Sequence, residues 1–184
     1  METLVPQQRI TLKNLKVADF ASEETLCFTA TVLFDGDPIA DAHNDGNGGM
    51  TFVHARESKS PRLAAASAFA ESLPAVDLNH GDGDAGEPHL CNVTLDFVID
   101  LLAEAMHVDR KMRAAFRRDI ANKVLFVRDG ELRYLKQVRL TAITNRPAYF
   151  AQMRARHATP IVILAELQID EAFALWKKHT VRDH

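Results

Sequence analysis

The alternation of apolar and polar residues is cleanest between Leu26 and Phe34. Leu26, Phe28, Ala30, Val32 and Phe34 fall on one face, and Cys27, Thr29, Thr31 and Leu33 on the other. A period of two, rich in aromatic and β-branched residues, predicts a strand buried on one side. Asp35-Gly36 follows, a dipeptide suited to the positive φ values of a tight hairpin turn. Ile39 to His43 then returns as the partner strand. Pro38 cannot donate a ladder hydrogen bond, so this partner is expected to start at or near a sheet edge. Arg9 to Lys13 alternates in the same way and predicts an earlier strand, which Leu15 to Phe20 continues or bends. Met50 to Ala55 predicts a later one. The first third of the chain therefore reads as an antiparallel meander.

The period then changes to that of a helix. Ser60-Pro61 combines a hydroxyl cap with proline at the first helical position. Leu63, Ala66, Phe69, Ala70 and Leu73 follow at helical spacing, and alanines in this stretch permit close approach of another element. Asp77 to His89 is too polar and glycine-rich for regular structure and predicts a solvated acidic loop holding His80, Asp82, Asp84, Glu87 and His89. Cys91 to His107 predicts a largely buried helix, with Asp96, Asp100, Glu104 and His107 sharing one narrow polar stripe. Asp109 is placed to cap a second helix running to about Lys123, with Met112, Phe116 and Ile120 on its apolar side. Val124 to Leu135 reads as a hairpin around Asp129-Gly130. Asn145-Arg146-Pro147 opens another helix, with Tyr149, Phe150 and Met153 facing inward. Ile161 to Leu167 is almost continuously apolar and suits a central strand. Asp170 is placed to cap a last helix carrying Phe173, Leu175 and Trp176.

These elements define an α+β fold: an antiparallel N-terminal sheet packed against helices, then a C-terminal hairpin, helix, strand and helix. At 184 residues and 47% hydrophobic, one domain over 1–184 is the expected organisation, with parts at 1–56, 57–123 and 124–184. The two cysteines, Cys27 and Cys91, form no CxxC pair and read as buried thiols in a reducing compartment. No basic region followed by an apolar run opens the chain, and no run is apolar enough to span a bilayer. The expectation is a cytoplasmic protein with no membrane partner.

Charge divides the chain unevenly. Residues 1–107 hold 6 Lys and Arg against 17 Asp and Glu, whereas residues 108–159 hold 13 against 4. The net charge of −3 conceals this split. In the basic part, Arg110, Arg113 and Arg117 line one helical face. Such a stripe can neutralise phosphates or pair with the acidic stripe of Asp96, Asp100 and Glu104 if two helices pack antiparallel. No aromatic is interleaved with these arginines for base stacking.

The densest candidate chemistry is His43-Asn44-Asp45-Gly46-Asn47-Gly48-Gly49. Gly, Asn and Asp tolerate left-handed backbone, so this loop could turn amides toward an anion, with Asn44, Asp45, Asn47, Gly48 and Gly49 as binding residues. A wide hairpin loop is the plainer reading. The spacing fits neither the phosphate-binding loop nor the dinucleotide fingerprint. His43, Asp45 and His54 could hold a metal or act as acid and base. The plainer reading for His43 is packing beside Phe28.

Ser22-Glu23-Glu24-Thr25, Phe28-Thr29-Ala30, Asp35-Gly36 and Asn44-Asp45-Gly46-x-Gly48-Gly49 together resemble the opening of small uncharacterised proteins of bacteria and their mobile elements. The resemblance spans about the first third of the chain. It implies a bacterial or phage origin and carries no catalytic residue across.

Three functions follow, from different classes. The first is a non-enzymatic binding protein, an inhibitor from a phage or mobile element that covers a host protein, nucleoprotein or defence complex. The second is a metal-dependent hydrolase or phosphodiesterase using His43, Asp45 and His54. The third is a direct nucleic-acid binder using residues 110–156. No cofactor is expected, and self-association stays open.

Overall fold

The computed structural model describes residues 3–78 and 89–181. The chain divides into two compact units, Met1–Val108 and Asp109–His184.

The N-terminal unit is built on a four-stranded antiparallel sheet in sequential order: β1 (Ile10–Val17), β2 (Phe28–Phe34), β3 (Asp37–Asn44) and β4 (Phe52–Ala55). β1 both continues and bends. Asn14 takes a φ of 53°, and the register with β2 shifts between Lys13 and Lys16, a bulge that carries Leu15 back into the core. The β2–β3 turn places Asp35 and Gly36 at φ of 53° and 82°, as the dipeptide predicts. β3 lies between β2 and β4, and its start at Asp37 and Pro38 extends past the paired part of β4. Pro38 is tolerated because β4 pairs only Ala40 to His43, so no neighbour asks for the missing N–H on that side.

Phe28, Ala30, Val32 and Phe34 are buried on the inner face of the sheet, with Ala40 and Ala42 opposite Val32 and Ala30. Against this face pack α1 (Ser60–Glu71), through Ala66 and Ala70, and the first half of α2 (Leu95–Asn122), through Val98, Ile99 and Ala103. All five of these side chains are essentially inaccessible, so the alanines do let the elements approach closely. Ser60 is the first residue of α1 and makes no capping bond, so the predicted cap is not formed, although Pro61 does occupy the first turn. Two short strands, β5 (Val76–Asp77) and β6 (Leu90–Cys91), pair antiparallel on either side of the acidic loop. His80, Asp82, Asp84 and Glu87 of that loop lie outside the described residues.

The largest correction concerns α2. The two helices expected over residues 91–107 and 109–123 are one helix of 28 residues. No glycine or proline occurs between Leu95 and Asn122 to end it. Asp109 caps nothing; its carboxylate accepts from Arg113 one turn on, at 2.8 Å.

In the C-terminal unit, β7 (Leu125–Arg128) and β8 (Glu131–Tyr134) form the expected hairpin, with Asp129 and Gly130 at φ of 52° and 75°. β9 (Val162–Ile163) pairs antiparallel with β7, giving the order β8-β7-β9. The apolar run Ile161–Leu167 is thus an edge strand of two residues followed by a 3-10 turn at Leu164–Glu166, not a central strand. α3 (Arg146–Ala155) is capped by the Asn145 side chain, which accepts from the Ala148 N–H at 3.2 Å. α4 (Ile169–Thr180) starts one residue before Asp170, which sits in its first turn instead of capping it. Phe116, Phe173 and Trp176 form one apolar cluster, and Val124, Phe126, Phe150, Met153 and Ile163 another.

Candidate functional site

The glycine loop is knitted to its own surroundings. Asn44 is buried. Its amide donates to the Gly49 carbonyl and to the Thr51 hydroxyl, each at 3.0 Å. Its side-chain oxygen accepts from the Gly46 N–H and the Thr25 hydroxyl, each at 2.9 Å. The Gly48 N–H turns to Thr25 Oγ1 at 3.3 Å, and the Gly46 carbonyl accepts from the backbone of Glu23, Glu24 and Thr25. Gly46 and Gly48 take φ of 89° and 79°. A Cβ on Gly46 would lie 2.0 Å from the Ala21 carbonyl, and one on Gly48 would lie 2.2 Å from the Glu24 carboxylate. Both the amides and the small residues therefore serve to dock this loop on residues 21–25. The Gly46 and Gly48 amides face Asn44 and Thr25, so neither is presented to an anion. Asp45, Asn47 and Gly49 remain at the surface.

His43 and His54 lie on the outer face of the sheet. Pairing of Thr29 with His43, and of His43 with Phe52, sets His43 beside Phe52 and away from Phe28, which faces Asn44 on the other side. The His43 ring stacks on Phe52 at 5.2 Å and on His54 at 5.6 Å. With Lys16, Thr29, Thr31 and Asp41, the two histidines line a hollow of about 370 Å³. Asp45 does not complete a ligand set with them. Among the described residues, no three His, Cys, Asp or Glu side chains stand close enough to hold a metal ion.

The acidic stripe of α2 is tied to the sheet unit. The Thr51 hydroxyl donates to Asp100, joining this carboxyl to the Asn44 network. Burial pushes the Asp100 carboxyl above its ordinary value of 3.8, the Thr51 hydrogen bond opposes this, and the like charges of Asp96 and Glu104 add to the rise. His107 Nε2 lies 3.0 Å from the Asp19 carboxylate. The acidic and basic stripes belong to one continuous helix and not to the two helices the sequence suggested.

The arginines of the C-terminal unit divide into two groups. Arg113 is held by Asp109 at 2.8 Å and by Asp170 at 3.1 Å, and its guanidinium lies 4.4 Å from the centre of the Phe173 ring. Hydrogen bonds to these two carboxylates raise its pKa further above an already high value. Lys123, Arg128, Arg133 and Arg154 pair in turn with Asp119, Asp129, Glu131 and Glu166. With Asp109 and Asp170, these pairs engage every acid of the unit but Glu171 among the described residues. Arg117, Arg118, Lys136, Arg139, Arg146, Arg156, Lys177 and Lys178 take part in no ion pair among the described residues, and all are exposed. Arg110 is exposed and makes an interaction of its own.

Two adjoining hollows open on this unit. One of about 480 Å³ runs past Arg139, Ile143, Asn145 and Ala148; the other, of about 320 Å³, runs past Lys136, Met153, Arg156 and His157. Val138, Tyr149 and Gln152 line both. The sequence pattern faced Tyr149, Phe150 and Met153 inward. Phe150 and Met153 are buried, and Tyr149, half-buried, packs against the same cluster while lining both hollows.

The fold is α+β, with an open antiparallel sheet and a separate basic unit. Searches against protein-family models, curated proteins and solved structures find no match to the chain. No described helix is long and apolar enough to cross a membrane.

Proposed function

We propose that the protein is a non-enzymatic binding protein that docks on a host nucleoprotein complex through the basic surface of its C-terminal unit. The observation carrying this reading is the set of exposed lysines and arginines left over once the unit's acids are paired. Uncompensated positive charge is what a phosphate backbone recruits, and counterion release supplies the affinity. The paired residues, Arg113 among them, brace the unit; the unpaired ones contact the partner. A phage or mobile-element origin, and inhibition as the outcome of docking, rest on the N-terminal sequence pattern from Ser22 to Gly49. The metal arm of the hydrolase reading needs His43, Asp45 and His54 gathered round one ion, and among the described residues no such cluster occurs; its acid–base arm keeps His43 and His54 together in one hollow.

The test is binding of the full chain to labelled duplex and single-stranded oligonucleotides across a range of salt concentrations. The proposal expects affinity that falls steeply as salt rises, and weakens when Arg117 and Arg118 are both changed to Glu. An absence of binding at low salt to either form would overturn it.

A further inference from the structure

Tyr149, with the hollows on either side of it, combines four features within the C-terminal unit. Its ring, half-buried and backed by the cluster of Phe150 and Met153, lines both hollows. Leu135, Val138, Ile143 and Met153 supply an apolar floor. The amides of Gln137 and Gln152, each with both donors and an acceptor, line the hollows beside the Asn145 NH2, whose oxygen partner caps α3. At the rim are Lys136, Arg139 and Arg156, none of which is engaged by an acid among the described residues.

Resting on the proposed docking to nucleic acid, we infer that these joined hollows form a groove for a short stretch of single-stranded nucleic acid. Bases pack against Tyr149 and the apolar floor, and phosphates rest on Lys136, Arg139 and Arg156. Charge at the rim selects an anionic occupant. The aromatic and apolar interior selects one that also has flat, weakly hydrated faces. An unpaired strand has both, because its bases can leave the stack and lie on a side chain. A duplex keeps its base faces covered and offers only its backbone. An acidic peptide satisfies the rim but leaves the ring and amides without a use. The volumes are also of the size that accommodates small aromatic ligands.

The discriminating experiment measures binding of one labelled single strand, and of the duplex formed with its complement, across a salt series. Tyr149→Ala should weaken strand binding by about tenfold or more, the usual loss when a stacking aromatic is removed. It should leave both the salt dependence and duplex binding unchanged, and Tyr149→Phe should restore strand affinity. Arg139→Gln and Arg156→Gln should each flatten the logarithmic salt slope for the strand by about 0.7, the loss of one phosphate contact. Gln152→Ala, an exposed change that spares the core, should weaken strand binding several-fold even if Tyr149→Ala proves unstable. If wild type binds nucleic acid while Tyr149→Ala and Gln152→Ala bind the strand as wild type does, the groove is refuted and the broader docking reading survives. If a polyglutamate peptide displaces the strand as effectively as unlabelled strand does, the groove assignment is also refuted. If wild type binds neither form, both readings fall together.

Discussion

Asn44 satisfies both ends of its amide inside the N-terminal unit, and its partners reach from Thr25 through Gly46 and Gly49 to Thr51. Asn44→Ala would strip these groups of a shared partner while leaving them buried or half-buried. A loss of about 2–4 kcal/mol of stability is expected, readable by urea denaturation. Gly46→Ala should also destabilise, by about 2 kcal/mol or more, because its Cβ would meet the Ala21 carbonyl at a positive φ. Asp100, linked to the same network through Thr51, adds a pH dependence. Its carboxyl takes a proton more readily in the fold than in the unfolded chain, where the ordinary value is 3.8. The group therefore favours the fold at low pH, and that contribution is lost as pH rises through the raised value. Asp100→Asn keeps an acceptor for Thr51 without the charge, so the variant's melting temperature should gain on wild type between about pH 3 and about pH 7. A gap that narrows over this range would contradict the assignment. Asp35 runs the opposite way. Its hydrogen bonds to Arg9 hold its pKa below the ordinary value, so its support is present at neutral pH and is lost on acidification.

At the scale of elements, α2 shows where a sequence pattern misleads. A capping residue at position 109 and a change from acidic to basic composition look like a boundary, yet neither interrupts i to i+4 hydrogen bonding. The structure runs the helix through Val108, whose side chain is half exposed. Val108→Pro should consequently cost about 3 kcal/mol or more, measurable by thermal melting. Were the chain broken there, proline would be nearly neutral. Elsewhere the local code was sufficient. Strict alternation identified β2 and its inner face, and Asp-Gly identified both hairpin turns, because these signals act within a few residues. The glycine loop was legible as a loop, but its use was not. Whether an amide faces an anion or an asparagine depends on Thr25 and Asn44 meeting across 19 residues. His43 and His54 were recognised as candidates, whereas the stacking of His43 on both Phe52 and His54 is set by β3–β4 register. Their exposed face predicts that His43→Ala and His54→Ala each change stability by less than about 1 kcal/mol.

For the whole molecule, the uneven charge seen along the chain corresponds closely to the division into two units, since the acidic excess ends at residue 107 and the first unit at Val108. Sequence alone could count the basic residues but could not tell the engaged from the unengaged, because pairings such as Arg113 with Asp170 and Arg154 with Glu166 join separate elements. That distinction moves attention from the Arg110, Arg113 and Arg117 stripe as a whole to the unpaired subset that includes Arg117 and Arg118. It also brings in Lys136, Arg139, Tyr149 and Arg156, which lie apart in sequence and line joined hollows. The most direct test of docking on phosphate is the slope of log affinity for an oligonucleotide against log salt, compared between wild type and Arg117→Gln/Arg118→Gln. A steep negative slope that becomes shallower in the variant is the predicted result; an affinity that does not change with salt, or an unchanged slope, would contradict it.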